Sequence, residues 1–504
     1  MDGGSREIEL KFALPRERAE ALLSEFPDLA RAAPRPLSSV YFDTDKRSLR
    51  RAGLALRVRQ EDGRFVQTLK DEGDGAIARG EWEASVAGPE PVLAPLEKTP
   101  AERVLSKGGR LAAQFAVDVA RRSAQMEEAG SRVEVSLDEG EAKAGGKRAP
   151  FAELELELKA GAVGGLFALA RKAASAGDLT LSFTTKAERG FALAGRRRDR
   201  ALRFEAPKLT LRTTAGEAFR AAALASLRQI VGNAEALRER PAPEVVHQLR
   251  VGMRRLRSIM SLFRKLVADA RLPALKAELR WLAGELDAAR NLDVLLHGEF
   301  RAALARKEEA EGLKGLGARL RGARSIAYAR AAAAVESERF RRLALDLLIW
   351  IEAGAWAGDP GHAAARDQPI ARFAAKRLER RRRKIVKLGR DLAALEPEAR
   401  HKLRIEAKKL RYGTELFAGL YPRRKRTRRF IAALKAAQDR LGQLNDLVVG
   451  DALAHDVGAG AGLAEPETAF VAGRITGAHK AGMAKLVAEA QGRIDALAKF
   501  DPPW

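Results

Sequence analysis

The chain contains no cysteine. That excludes disulfides and thiolate metal sites and fits a reducing compartment. No stretch reaches the roughly 18 consecutive apolar residues of a membrane-spanning helix, so no membrane partner is expected. The opening MDGGSREIEL lacks the charged-then-apolar pattern of a secretory signal, and a cytoplasmic chain is expected. Histidine is scarce: six in 504 residues, too few and too scattered for a zinc site. What the chain does have is length for two or three domains and, at 46% apolar, the means to fill their cores.

Positive charge is abundant but unevenly placed. Of 92 Lys and Arg and 67 Asp and Glu, residues 1–205 hold 35 and 33, a net of +2. The other 299 residues hold 57 and 34, a net of +23. A block this basic favours an acidic polymer or surface as partner.

The two parts also differ in pattern. Residues 1–205 read mainly as strands: REIELKF, SSVYFDT, LALRVRQ, RFVQTLK, RGEWEASV, SRVEVSLDEG and FAELELELK. Turns at Glu61-Asp62-Gly63 and Asp71-Glu72-Gly73 separate some of them. Helical periodicity appears between them, near Pro15–Leu29, Pro100–Phe115 and Val163–Ser175. From Pro207 onward Ala, Leu, Arg and Glu dominate, with apolar residues recurring at three and four. The boundary is set at Glu205–Pro207, giving domains 1–205 and 206–504, and Ala353–Pro369 divides the second into halves of about 212–352 and 370–495.

Those halves repeat. His247-Gln-Leu-Arg250-Val-Gly-Met-Arg254-Arg255-Leu-Arg257 returns 154 residues later as His401-Lys-Leu-Arg404-Ile-Glu-Ala-Lys408-Lys409-Leu-Arg411. Arg228-Gln-Ile-Val returns as Arg383-Lys-Ile-Val, and Arg290-Asn291-Leu292 matches Asn445-Asp446-Leu447, both at 155. Three segments in one order at nearly one offset predict two pseudo-symmetric copies of a helical bundle.

In the strands, charged residues alternate with apolar ones and so share one face. This holds for Glu7-Ile-Glu9-Leu-Lys11, Arg57-Val-Arg59, Thr68-Leu-Lys70, Arg79-Gly-Glu81-Trp-Glu83 and Glu153-Leu-Glu155-Leu-Glu157-Leu-Lys159. One such strand is an ordinary solvated sheet face, with Glu81 and Glu83 as partners of nearby Arg and Glu153 in solvent. Five predict a sheet closed with its charged face inward. Clustered carboxylates there suit a hard divalent cation, and Arg and Lys suit phosphoryl oxygens.

The series Glu7-x-Glu9-x-Lys11, YFDT (41–44), LRVR (56–59), TLK (68–70), RGEWE (79–83), VSLDEG (135–140), ELELEL (153–158) and KAERG (186–190) resembles the CYTH superfamily of triphosphate tunnel metalloenzymes. Thr185 stands where that family has Ser before KAERG. The resemblance implies an eight-stranded antiparallel β-tunnel with flanking helices that hydrolyses a triphosphate with Mg²⁺ or Mn²⁺. Carried over position by position, Glu7, Glu9, Lys11, Glu155 and Glu157 are catalytic, and the four carboxylates hold metal. Lys11, Arg57, Arg59, Lys70, Arg79, Arg132 and Lys186 form the phosphate cradle. Inorganic triphosphate leads as substrate; thiamine triphosphate or a nucleotide is the alternative, and a degenerate, non-catalytic scaffold the third reading.

On a helix, His247, Arg250, Arg254 and Arg257 fall at 0°, 300°, 340° and 280°, one arc of about 80°. His401, Arg404, Lys408 and Arg411 fall at the same angles. Leu249, Met253, Leu256, Met260, Leu403, Leu410 and Phe417 lie on the far side, toward a core. One basic stripe is ordinarily a solvated face; two in register are a candidate surface. The segments HQLRVGMRRLR, HKLRIEAKKLRY and LNDL resemble the CHAD domain, covering about 212–495, with Asn291 where that family has Asp. The resemblance implies inorganic polyphosphate bound along a basic groove by both stripes and by Arg228 and Arg383, and hence a chain associated with polyphosphate granules. Nucleic acid is the less favoured partner, since aromatics for base stacking are few. The runs KRLERRRRKIVK (376–387) and RRKRTRR (423–429) add charge. The fold class expected is α+β: a tunnel, then an all-α domain.

Overall fold

A computed structural model of the chain describes residues 5–71, 77–195, 201–297, 300, 310–459 and 466–504, without the side chains of 5–6, 176, 310–312, 445–459, 466 and 468–482. Glu72 and Gly73 of the second turn lie outside the described residues, as do the side chains of Asn445, Asp446 and Leu447. The chain forms two compact units: Met1–Arg200 with Glu338–Ile349, and Ala201–Ser337 with Trp350–Trp504.

The first unit is a closed antiparallel barrel. Its strands are β1 (Ser5–Leu14), β2 (Arg35–Thr44), β3 (Leu54–Glu61), β4 (Arg64–Asp71), β5 (Ala78–Val86), β6 (Leu111–Glu128), β7 (Ser131–Ala144) and β8 (Lys147–Ala160). They run in the order β5-β4-β3-β2-β6-β7-β8-β1, and β1 closes the ring on β5. A two-residue β9 (Thr180–Leu181) adds to β1. The closing strand divides its pairing: Ser5–Ile8 face β5, and Glu9–Leu14 face β8.

The hairpins β3–β4, β6–β7 and β7–β8 turn on Asp62-Gly63, Ala129-Gly130 and Gly145-Gly146, every one at positive φ. Two successive left-handed residues are what a type I′ turn requires, and its twist matches the strands.

Outward residues of β1, β7 and β8 (Leu10, Phe12, Val133, Val135, Leu137, Leu154 and Leu156) are buried. The helix Val163–Ala176 packs against β6, β7 and β8 with Leu166, Phe167, Leu169, Ala170 and Ala173 buried. On β2–β4, Phe42, Leu54, Leu56, Val58 and Leu69 join Leu49, Leu96 and Ala101 in a second outer cluster. The YFDT motif serves it: Asp43, fully buried, accepts the backbone N–H groups of Thr44, Leu49 and Arg50 and so seats the turn Ser48–Arg51.

Strand β6 departs from expectation. Pro100–Phe115 reads as helical, but only Glu102–Leu105 is helix, and an 18-residue strand begins at Leu111. Its alanines give no strand signal; membership is decided by pairing along β2 and β7.

The second unit is helical. Helices beginning at 215, 243, 272 and 310 are followed by helices beginning at 370, 397, 424 and 466, offsets of 152–156. An isolated bridge, Thr214 with Pro369, ties the starts of the two halves. Leu249, Met253, Leu256, Met260, Leu403, Leu410 and Phe417 are all buried, as the helical projection requires.

Candidate functional site

Alternation places Glu7, Glu9 and Lys11 of β1 on the barrel's inner face with Glu153, Glu155 and Glu157 of β8, Arg79, Glu81 and Glu83 of β5, and Lys70 and Thr68 of β4. Contacts between strands that are not neighbours show that this face is the lumen. Lys70 of β4 reaches Glu7 of β1 at 2.8 Å, and Arg121 of β6 reaches Glu155 of β8 at 2.5 Å.

Along β6, β7 and β8 the inward residues change character at one level. Arg121 pairs in register with Asp138, and Asp138 with Glu153. Beyond them Phe115, Val117, Val119, Ala142, Ala144 and Phe151 form an apolar floor with Leu37 and Tyr41. The helix Lys186–Ala194 completes that floor through Ala187, Phe191 and Leu193. Thr185 caps it, accepting the Glu188 N–H, while Glu188 accepts the Thr185 N–H; the hydroxyl is what this position uses. Gly190 faces Phe115 so closely that a Cβ would lie 2.0 Å from the ring.

Two polar groups stand above the floor. In one, Arg79 bonds Glu7 at 2.7 Å and also Glu9, and Lys70 links Glu7 to Glu81 at 2.8 and 2.9 Å. Burial alone raises the Glu7 pKa; Lys70 and Arg79 overcome it and hold the carboxyl well below its usual range. For Glu9 burial prevails, aided by Glu155 and Glu7 against Lys11 and Arg79, and its pKa is raised.

In the other group, oxygens of Asp138, Glu153 and Glu155 lie within 4.8 Å of one another. Lys186 Nζ bonds all three, at 2.7 Å to Asp138, 2.9 Å to Glu155 and closely to Glu153. Arg121 bonds Asp138 and Glu155, each at 2.5 Å, and Lys11 bonds Glu155 at 2.8 Å and Glu9 at 3.2 Å, joining the two groups. Burial opposes ionisation of Asp138 and Glu155, but these cations reverse it and lower both pKa values. Three carboxylates without imidazole or thiolate suit a hard divalent cation, so the donor set fits a metal.

Across the lumen Arg57 and Arg59 of β3 are less fully paired, although burial of Arg57 is outweighed by Tyr41 and Glu81, which raise its pKa. Among the described residues Arg57 has no carboxylate in ion-pair range, and the Nε atoms of both are buried without a hydrogen-bond partner. Arg57 bonds the Tyr41 hydroxyl, and Arg59 meets Glu61 at 3.2 Å. Burial and then Arg57 lower the Arg59 pKa. Two half-buried guanidiniums with spare donors suit the oxygens of an anion.

The structure thus gathers Glu7, Glu9, Lys11, Arg57, Arg59, Lys70, Arg79, Glu155 and Lys186. It does not gather Arg132, which is exposed at the start of β7, beside a register shift. Glu157 pairs in register with Glu9 of β1 and is bonded to Lys159 at 2.7 Å; burial first, then Glu7, raises its pKa. Glu153, expected in solvent, is 1% exposed. Sequence reading missed Asp138 and Arg121. VSLDEG contains Asp138, and its parity with Glu134 and Ser136 was the available signal; Arg121 was hidden with its strand.

In the second unit the basic stripes are partly engaged within the bundle. Arg250 bonds Asp287 and the Ala283 carbonyl (3.1 Å), and Arg254 bonds the Tyr412 hydroxyl at 2.9 Å, across the two halves. Arg255, outside the stripe, is buried against Tyr412 and Phe204 and bonds Glu415 at 3.0 Å. Arg411 meets Glu415 at 3.2 Å, and Arg383 meets Glu379 at 2.8 Å. Arg257 and His401 are exposed, and Arg228, Arg404 and Lys408 are half-buried. His247 is half-buried near Arg290, Arg254 and Arg250, with Glu244 as counter-charge; burial first, then Arg290, pushes its pKa down to about 4. A further basic patch surrounds Lys276. Burial, then Arg264, Arg257, Arg280 and Lys409, lowers its pKa. Lys276, Arg264 and Arg280 were not singled out in the sequence, and Lys409 only as part of the repeat, because two helices and a loop bring the four together.

Comparison with known proteins matches this division. The CYTH domain model matches residues 5–191 and the CHAD domain model residues 221–455. An inorganic triphosphatase of Haemophilus influenzae is 31% identical over 204 residues, 38% of this chain and 56% of that relative, so the match spans about half the relative's length. The crystal structure of the CHAD domain from the plant Ricinus communis aligns with a TM-score of 0.52 and 32% identity, covering 60% of this chain and 99% of that one. The chain is a CYTH domain followed by a CHAD domain.

Proposed function

We propose that the barrel hydrolyses inorganic triphosphate to diphosphate and phosphate with Mg²⁺ or Mn²⁺, and that the helical unit binds inorganic polyphosphate. The observation that carries the first part is the lumen itself: a carboxylate trio on one wall, and on another Arg57 and Arg59, whose Nε atoms have no hydrogen-bond partner. The similarity to an inorganic triphosphatase supports the same reading.

A triphosphate brings about four negative charges, and phosphoryl transfer is accelerated chiefly by positioning and charge neutralisation. Arg57 and Arg59 supply free donors for terminal oxygens. Lys70 of the neighbouring strand β4 and Arg79 of β5, both shared with Glu7, extend that wall toward β1. Asp138, Glu153 and Glu155 are the residues that would hold a divalent cation, whose chemistry is charge neutralisation at phosphoryl oxygens. The apolar floor closes the inner end and shields these groups from water, which strengthens every charge interaction above it. Phosphate release from tripolyphosphate, ATP and thiamine triphosphate, with metal and with EDTA, tests the reading. Metal-dependent preference for tripolyphosphate is expected. Preference for an organic triphosphate moves the substrate assignment, and turnover undiminished by EDTA removes the metal.

For the helical unit, support lies in the +23 charge and in cations such as Lys276 that face only other cations among their strongest neighbours. A linear polyanion is the ligand that relieves several such repulsions at once.

A further inference from the structure

Lys186 stands with its ammonium against all three carboxylates that a metal in the trio would use. Its ammonium bonds Asp138 at 2.7 Å and Glu155 at 2.9 Å and touches Glu153, so those oxygens already hold a cation. Metal–oxygen distances are about 2.0–2.1 Å for Mg²⁺, shorter than the Lys186 contacts to Asp138 and Glu155, so a divalent cation seated among the three carboxylates meets the charge of the ammonium at close range and is repelled by it. The side chain is anchored: Lys186 opens a helix whose capping box and apolar face fix its backbone in the barrel floor. Its four-carbon stem is the part free to turn.

We propose that Lys186 is an exchangeable counter-cation: it holds the trio together before loading, and a divalent cation entering the trio displaces it into the lumen, where it takes a triphosphate oxygen. The inference rests on the metal reading above and goes beyond it. It makes metal and triphosphate binding mutually dependent. Metal alone must break three bonds of a buried ammonium, whereas triphosphate offers that ammonium new partners. Lys186 touches all three carboxylates, whereas Arg121 touches two and Lys11 one; those two cations keep their contacts with Asp138 and Glu155 when Lys186 leaves.

The test is Mn²⁺ binding to the full chain, read by calorimetry or electron paramagnetic resonance without substrate. Lys186→Met keeps the stem and removes the charge. It should bind Mn²⁺ at least ~10-fold more tightly than the parent chain, and added tripolyphosphate should tighten Mn²⁺ in the parent but little in the variant. Equal or weaker Mn²⁺ binding by a folded variant overturns the exchange while leaving the metal reading intact. No Mn²⁺ binding by either protein, with or without tripolyphosphate, overturns both. A second measurement needs no variant: acylation of Lys186 in the parent chain, followed by peptide mass spectrometry. Mn²⁺ at titration-saturating concentration should raise labelling several-fold and tripolyphosphate should then suppress it. Labelling indifferent to Mn²⁺ overturns the proposal.

Discussion

At the scale of single residues, position along a strand separates carboxylates that the sequence presents as equals. Glu155 is bonded by Lys11, Arg121 and Lys186, whereas Glu157, two residues on, has Lys159 within 2.7 Å and Glu134 beside it. Glu155→Gln should therefore lower triphosphate turnover by at least ~10²-fold, and Glu157→Gln by far less. Equal losses in steady-state assays of the two variants remove the distinction. His247 provides a second residue-level test. An unfolded imidazole takes its proton near pH 6.5, but the folded one only at about 4. Between those values the unfolded chain binds more protons, so stability must rise with pH across that window and level off above it. His247→Gln should flatten the pH dependence of the helical unit's melting between pH 4 and 6.5. An unchanged slope would show that the Arg250, Arg254 and Arg290 environment does not act on this ring.

At the scale of elements, the floor helix Lys186–Ala194 couples packing to the site. It carries Lys186 at one end and Gly190 against Phe115 in the middle. Gly190→Ala forces the helix or the ring to shift, at a cost of about 1–3 kcal/mol for overpacking. Lower melting of the barrel unit is expected, together with weaker triphosphate binding because Lys186 moves with the helix. Wild-type melting and KM in this variant would mean that the ring yields freely.

Legibility varied by element for physical reasons. Strands β1, β3, β4, β5, β7 and β8 announced themselves because charged and branched residues alternate, and that alternation also exposed Glu7, Glu9, Arg57 and Lys70. Strand β6 did not, since LAAQFAVDVARRSAQMEE is rich in alanine and its Phe115-Val117-Val119 alternation is short. Arg121 went unread with it. Glu153 was misjudged because one strand cannot report what its neighbours bring, and its burial depends on Asp138 and Lys186. The helical repeat was plain from spacing alone, yet the inward commitments of Arg250 and Arg254 were not, because Asp287 and Tyr412 arrive from other helices.

At the scale of the whole molecule, the two units should answer differently to salt. The helical unit offers many exposed cations, and a polyanion lying across them releases counterions. Its affinity for long polyphosphate should fall steeply and linearly on a log–log plot between 50 and 200 mM salt. Triphosphate KM in the enclosed lumen should change less, because buried pairs are screened less. Parallel salt slopes for the two would contradict a division of labour. Displacement of polyphosphate by single-stranded RNA at equal charge would mark the helical surface as a general polyanion platform.

The divided pairing of β1 bears on how the barrel comes to exist at all. The strand that carries Glu7, Glu9 and Lys11 is made before the barrel's other strands, yet its partners are β5, which meets Glu7 through Arg79 at a separation of 72 residues, and β8, made later still. Until both are present, β1 is an unpaired edge with its charged face exposed. Ring closure is a late, non-local event of the kind that slows folding. The lumen therefore closes only after β8 is made, and a nascent chain holds no complete site while its barrel is still being made.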